Sequence, residues 1–296
     1  MSAAHSAASA DSAPPGRARR AAGAGDLAGI RIVSLALNVP GPVALARLVA
    51  EGASAIKIEP PGGDPLSGFS RRWYRALHAG VTVEACDLKT EAGQRRLFDH
   101  LARADLLLTS QRPAALARLG LDREKLARTL PRLRLLQIVG DSRAPDEPGH
   151  DLTYQARAGL IGGEMPRTLL ADLIGAERAV IAALLLLRRE SPAWARVGLQ
   201  DALDTAATPL RLELTTPGGP LGGGMATYRI YDAGRGRVAV AALEPHFRAR
   251  LYEALGLPDG HDLTDALRAR TAKQWEQWAR KHDLPLACVE SPRRRG

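Results

Sequence analysis

LAGIRIVSLALNVPGPVALARLVAEGASAIKIEPPGGDPL, residues 27–66, is the stretch on which the fold turns. Ile30–Leu37 (IRIVSLAL) and Ser54–Glu59 (SAIKIE) are short β-rich runs. Between them Pro42–Glu51 has apolar residues three and four apart, the period of a helix. Strand, helix and strand in close succession form a crossover unit, which pairs its strands in parallel and buries both faces of the sheet. Pro40, Gly41 and Pro42 break the chain after the first strand. Pro42 suits the first turn of a helix, whose unpaired N–H groups then point to the carboxyl edge of the sheet. That edge is where open α/β sheets bind ligands. The loop Glu59-Pro60-Pro61-Gly62-Gly63-Asp64-Pro65 can be neither helix nor central strand, because its prolines lack donors and its glycines favour turns.

Working outward, Asp105–Thr109 and Leu133–Val139 read as further strands, and Glu91–Arg103 and Arg123–Thr129 as helices. The first half is therefore a Rossmann-like α/β domain with a mostly parallel sheet. Leu169–Glu190 is a long linking helix, so apolar that it is expected to be buried. A Gly- and Pro-rich passage, residues 216–224, reads as turns. Thr227–Tyr231 and Arg237–Ala242 then read as a hairpin around Asp232–Gly236, opening a smaller α+β domain whose last helix is Ala272–Lys281. The expected organisation is a disordered tail (1–25), a large domain with its linking helix (26–190), a connector (191–215) and a small domain (216–296).

Composition narrows the function classes. With 45% hydrophobic and 25% charged residues, the chain has an ordinary globular balance. Cys86 and Cys288 give neither a disulfide framework nor a CxxC metal spacing, which fits a reducing, cytoplasmic setting. The net charge of +9 invites a nucleic-acid reading. However, arginines such as Arg95, Arg96 and Arg103 are interleaved along helical segments, as solvated faces are, and form no stripe for phosphates. Nucleic acid is not expected as a partner. Nor is a membrane, since the longest apolar run, Ala179–Leu187, is about half of a span. The Ala- and Ser-rich first 25 residues lack the apolar core of a secretory signal. There is no GxGxxG after a strand and no P-loop, and no metal site is expected.

Three candidate catalytic groups stand out. Asp172 lies between apolar runs where the long helix begins, a place for an N-cap or for a partly desolvated nucleophile or base. His150, in Pro148-Gly149-His150-Asp151, follows a turn and opens another helix. Glu244 ends an apolar strand before a helix-starting proline, where it can cap or face a cleft. Each signal alone is weak.

In order, these stretches resemble the CaiB/BaiF family, which comprises the family III CoA-transferases and the α-methylacyl-CoA racemases. The resemblance runs from about Leu27 to Val289. It includes the opening strand–helix–strand with its Glu-Pro-Pro-Gly-Gly-Asp-Pro loop, Asp87-Leu88-Lys89, Arg112-Pro113, Leu119-Gly120-Leu121, PGHDLTYQARAGL, Ala171-Asp172-Leu173 and AALEPHF. It implies coenzyme A as an acyl-CoA substrate, with no permanently bound cofactor, a small carboxylic acid as acceptor and an interlocked homodimer. In the transferase branch the Asp at the position of Asp172 attacks the thioester and passes through an aspartyl-CoA intermediate. In the racemase branch that Asp and a His at the position of His150 are bases on opposite faces of the α-carbon, with a Glu like Glu244 in the site. Two bases are needed because inversion removes a proton on one side and returns it on the other. CoA contacts are expected from Pro42, Glu59, Lys89, Arg112, Asp151 and Tyr154, and from Arg71, Arg72 and Arg75, which stand where the family carries an Asn-Arg-x-Lys stretch with different spacing.

The surroundings of Asp172 are closer to the transferase branch, and those of His150 and Glu244 to the racemase branch. CoA transfer is the expected activity, with racemisation as the alternative and a degenerate, non-catalytic member as the third reading. The chain also stops soon after His282-Asp283-Leu284-Pro285, without the family's closing segment, so the fold is expected to be truncated relative to the family.

Overall fold

The computed structural model describes residues 25–290. All but the last residue of the expected tail 1–25 lies outside the described residues. Two compact units are present. The first, residues 25–155 and 166–202, is built on a six-stranded parallel sheet. Its strands are β1 (Arg31–Ser34), β2 (Ser54–Glu59), β3 (Val81–Ala85), β4 (Leu106–Thr109), β5 (Arg134–Val139) and β6 (Ala193–Gly198). They lie in the order β3-β2-β1-β4-β5-β6, the doubly wound arrangement.

The centre of this sheet is β4, whose Leu106, Leu107 and Leu108 are all 0% exposed. Covering an apolar side chain completely is worth about 1.5–3 kcal/mol, so a strand buried on both faces is an anchor. On one face Val33, Leu107 and Leu135 meet Leu97, Leu101 and Leu126 from covering helices. On the other, the Pro40–Ala50 helix packs against the Leu170–Leu187 helix. Gly41 lets the first of these start tightly on β1, since a Cβ there would collide with Ala36. The second has Ala171, Gly175, Ala179 and Ala183 on every fourth position, all buried, which gives a flat contact stripe.

The sequence and the structure part in two places. The long helix is not buried all round: Ile181 (58% exposed), Leu184 (40%) and Leu185 (56%) face outward, because the sheet accepts only the small-residue stripe. Residues 191–215 are not a plain connector either. They contain β6, which pairs with β5 in register Leu135↔Trp194, and the Leu199–Ala206 helix. Trp194 lies against the guanidinium groups of Arg123 and Arg196, at 4.6 and 5.5 Å, which equips this edge strand with charged cover.

The second unit comprises residues 156–165 and 203–290. The expected hairpin is present: β7 (Tyr228–Asp232) pairs antiparallel with β8 (Arg237–Ala241), and β9 (Leu286–Cys288) adds to β8. Tyr231, Val238 and Val240 pack on Leu251, Leu267, Trp275 and Trp278. Thr271 and Gln274 form a reciprocal cap on the Ala272–Lys281 helix.

Candidate active site at the sheet's carboxyl edge

In the doubly wound sheet the chain leaves β1 and β4 toward opposite sides, which opens a crevice at their carboxyl ends. A cavity of about 230 Å³ lies there. Its wall is built from Leu37, Asn38 and Pro40 after β1, Ser110 and Arg112 after β4, Ile138 to Gly140 at the end of β5, and His150, Tyr154 and Asp172. All of these belong to the first unit.

Asp172 is the third residue of the Leu170–Leu187 helix and does not cap it. The capping interaction comes from another segment: Asp151, 5% exposed, accepts the Asp172 N–H on Oδ1 at 3.2 Å. Its Oδ2 accepts from Gln155 Nε2 at 2.6 Å, and that nitrogen also reaches the Thr168 carbonyl at 3.0 Å. The Asp172 carboxyl itself makes no hydrogen bond or ion pair among the described residues. Burial, with the charge of Asp151 adding to it, pushes its pKa up to about 7. A carboxylate in that state is more basic and more nucleophilic than one in water, and near neutrality about half is ionised.

Tyr154 is 3% exposed and stands between Gly140 and Gly149. A Cβ on either glycine would overlap its phenol ring or hydroxyl, so two glycines make the slot for one tyrosine. His150 is exposed at the cavity wall, where its N–H donates to Thr153 Oγ1 at 3.1 Å and its carbonyl accepts from the same hydroxyl at 2.7 Å. These paired bonds start the Asp151–Arg157 helix.

The structure thus brings together Asp172, His150, Tyr154 and Arg112 of the residues singled out from sequence, with Asp151 directly behind Asp172. Pro42 is buried in the helix start, and Pro40 takes its place on the wall. Glu59 does not line the cavity: its oxygens accept from Lys57 Nζ (2.9 Å), the Tyr74 hydroxyl (2.9 Å) and the Asp64 N–H (3.2 Å). Arg71, Arg72 and Arg75 are exposed on the Arg71–Leu77 helix, Lys89 is exposed in the turn after β3, and none makes an ion pair among the described residues. Glu244 belongs to the second unit, exposed at the cap position of the Pro245–Leu255 helix, where it makes no capping bond.

Sequence reasoning missed Asn38 and Ser110. Asn38 has φ +65°, and the one available signal is that Asn tolerates the left-handed region better than other side chains. Glu59, Asp64 and His78 together look like metal ligands, their ligating atoms within 4.8 Å of one another. The ammonium of Lys57 contacts all three, so the cluster is an ion network around a lysine.

Residues 27–294 match the family model CoA-transferase family III. The chain belongs to that family. It is 36% identical over 149 residues to the cinnamoyl-CoA:phenyllactate CoA-transferase of Clostridium sporogenes, a match covering 45% of this chain and 36% of that enzyme. With the acetyl-CoA:oxalate CoA-transferase of Acetobacter aceti it shares 25% identity over 88% of this chain and 78% of that enzyme. The α-methylacyl-CoA racemase of Mus musculus is 29% identical over 78% of this chain and 65% of its own length. A crystal structure of a CaiB/BaiF family protein from Brucella suis superposes with a TM-score of 0.74 at 20% identity, over 91% of this chain and 85% of that one, which shows the shared fold. Of the two chemistries found among these relatives, CoA transfer is the better supported.

Proposed function

We propose that Asp172 is the nucleophile by which this chain moves CoA from an acyl-CoA thioester to a small carboxylic acid. The observation that carries the reading is a half-buried carboxyl group without a partner among the described residues, raised to about 7, on the wall of a cavity at the carboxyl edge of the sheet. A carboxylate oxygen of Asp172 attacks the thioester carbonyl carbon, and the C–S bond breaks to give a mixed anhydride and CoA thiolate. The thiolate then attacks the Asp172 carbonyl carbon, expelling the donor's carboxylate and leaving aspartyl-CoA. The acceptor carboxylate attacks that thioester, and the released thiolate takes the acceptor acyl group, which restores Asp172. The anhydride steps require water to be excluded, and a narrow cavity with a desolvated nucleophile suits them.

The cavity volume of about 230 Å³ falls below that of pockets enclosing a whole drug-sized ligand, so it takes the acyl and thioester end of the substrate. The phosphates then lie outside it, for which Arg71, Arg72, Arg75, Lys89 and Arg112 supply exposed positive charge. CoA serves as a substrate, with no permanently bound cofactor. The outward face of the Leu170–Leu187 helix, with Ile181, Leu184 and Leu185, supports a homodimer in which a second copy covers it. Free Cys86 and Cys288 agree with a cytoplasmic enzyme, and no helix among the described residues is long and apolar enough to cross a membrane.

Because His150 shares the cavity with Asp172, α-proton exchange is the second reading. Incubation with an acyl-CoA in heavy water separates the two. Transfer predicts a borohydride-reducible adduct on the peptide containing Asp172 and no deuterium at the α-carbon; deuterium uptake without an adduct would replace transfer by racemisation. If calorimetry found no binding of CoA or acyl-CoA, the chain would be a non-catalytic member of the family.

A further inference from the structure

The most deeply buried charged group among the described residues serves no step of that reaction. Lys57 on β2 is 0% exposed, and its ammonium contacts Glu59 Oε1 at 2.9 Å, His78 Nε2 at 2.9 Å and Asp64 Oδ2. Three donors thus meet three acceptors. The His78 Nδ1 lies 2.7 Å from the Tyr74 carbonyl, which only accepts, so the ring proton is on Nδ1 and Nε2 receives the Lys57 bond. Asp64, 1% exposed, turns its other oxygen the opposite way: Oδ1 accepts the N–H of Leu66 at 2.9 Å and that of Asn38 at 3.0 Å.

Asn38 has a left-handed backbone and stands on the cavity wall. Its neighbour Leu37 donates its N–H to Ser110 Oγ at 3.0 Å. The chain leaving β1 is therefore pinned on both flanks, from the loop after β2 and from the end of β4, at the point where the crevice opens. A buried ion network adds little stability over well-packed apolar side chains, and its attested use is to select one conformation. Strained backbone held by over-determined contacts collects at binding sites.

We propose that Lys57 and Asp64 are positioning residues that hold Asn38 in its left-handed conformation, so that the Asn38 side-chain amide hydrogen-bonds a polar group of the bound acyl-CoA. This rests on the cavity being the thioester site. Glycine adopts φ +65° without strain, so Asn38→Gly keeps the backbone and removes only the amide. Asp64→Asn removes the charge that holds it.

The test is a double-mutant cycle on the full chain, with acetyl-CoA as probe and calorimetry as readout. Asn38→Gly is expected to weaken binding about tenfold, the loss of one hydrogen bond, with an unchanged melting temperature. Asp64→Asn is expected to weaken binding to a similar degree, and the double variant no further, because both act through one amide. Wild-type affinity in Asn38→Gly, or losses that multiply in the double variant, would overturn the proposal. Should Asp64→Asn fail to fold, Asn38→Gly alone still decides the ligand contact. The positioning half has a readout without ligand: the Asn38 backbone amide should exchange slowly with solvent in wild type and faster in Asp64→Asn. Equal exchange rates would refute it. Failure of the wild type to bind acetyl-CoA would instead strike the proposed function and the ligand contact together, with the exchange result still judging the positioning.

Discussion

In the proposed reaction Asp172 carries the chemistry, and no cation among the described residues neutralises it. Its N–H is taken by Asp151, so the carboxyl is carried on a helix start without closing on its own backbone. Asp172→Asn should therefore lower kcat by about 10³-fold or more in a steady-state transfer assay, the scale seen when a nucleophile is removed, while acyl-CoA still binds. With the pKa raised to about 7, kcat/KM should rise with pH through that value as the carboxylate forms. The same shift has a stability consequence of definite sign. A carboxyl whose pKa is near 3.9 in the unfolded chain and about 7 in the folded one binds its proton more tightly when folded. Its contribution is intact below the unfolded value and is lost as pH rises toward about 7. Asp172→Asn, which cannot ionise, should then melt at a higher temperature than wild type at pH 8, with the gap closing toward pH 4. A constant gap would mean that Asp172 titrates normally.

At the scale of elements, small residues set the positions of the site. Gly149 and Gly140 leave room for Tyr154, and Gly175 leaves room for Leu199 under the helix that carries Asp172. Gly175→Ala should cost about 1–3 kcal/mol in denaturant unfolding through overpacking, and should lower activity by shifting the helix start. Much of this framework is legible in the sequence, for physical reasons that differ by element. β1, β2, β4 and β5 show as apolar runs because they are central or nearly so. β3, with its exposed Val83, and β6, with Arg196 and Trp194, do not, because edge strands mix polar and apolar residues. Asp172 and His150 are found from local context, and Arg112 through the family resemblance. Asn38 is not, since its place depends on Asp64 and Ser110, which reach it only through the tertiary fold.

At the scale of the molecule, the apolar outer face of the Leu170–Leu187 helix is the feature that a single chain leaves unexplained. Leu185→Arg should shift a dimer toward monomer in sedimentation, with the circular-dichroism spectrum unchanged; a wild-type monomer would remove the homodimer from the account. The arginines of the Arg71–Leu77 helix belong to this scale too, because the proposed function has them meet the distant end of a long ligand. Arg71→Ala with Arg75→Ala should raise KM for acyl-CoA, more at low salt than at high, and leave kcat nearly unchanged.

Tracing oxygen decides whether Asp172 is the nucleophile. An acceptor acid labelled with heavy oxygen in its carboxylate is incubated with enzyme and acyl-CoA, and the peptide containing Asp172 is weighed by mass spectrometry. One heavy oxygen is expected in the Asp172 side chain after a single turnover, left there when the second anhydride opens, and a second as turnover continues. Turnover with an unlabelled Asp172 would contradict it.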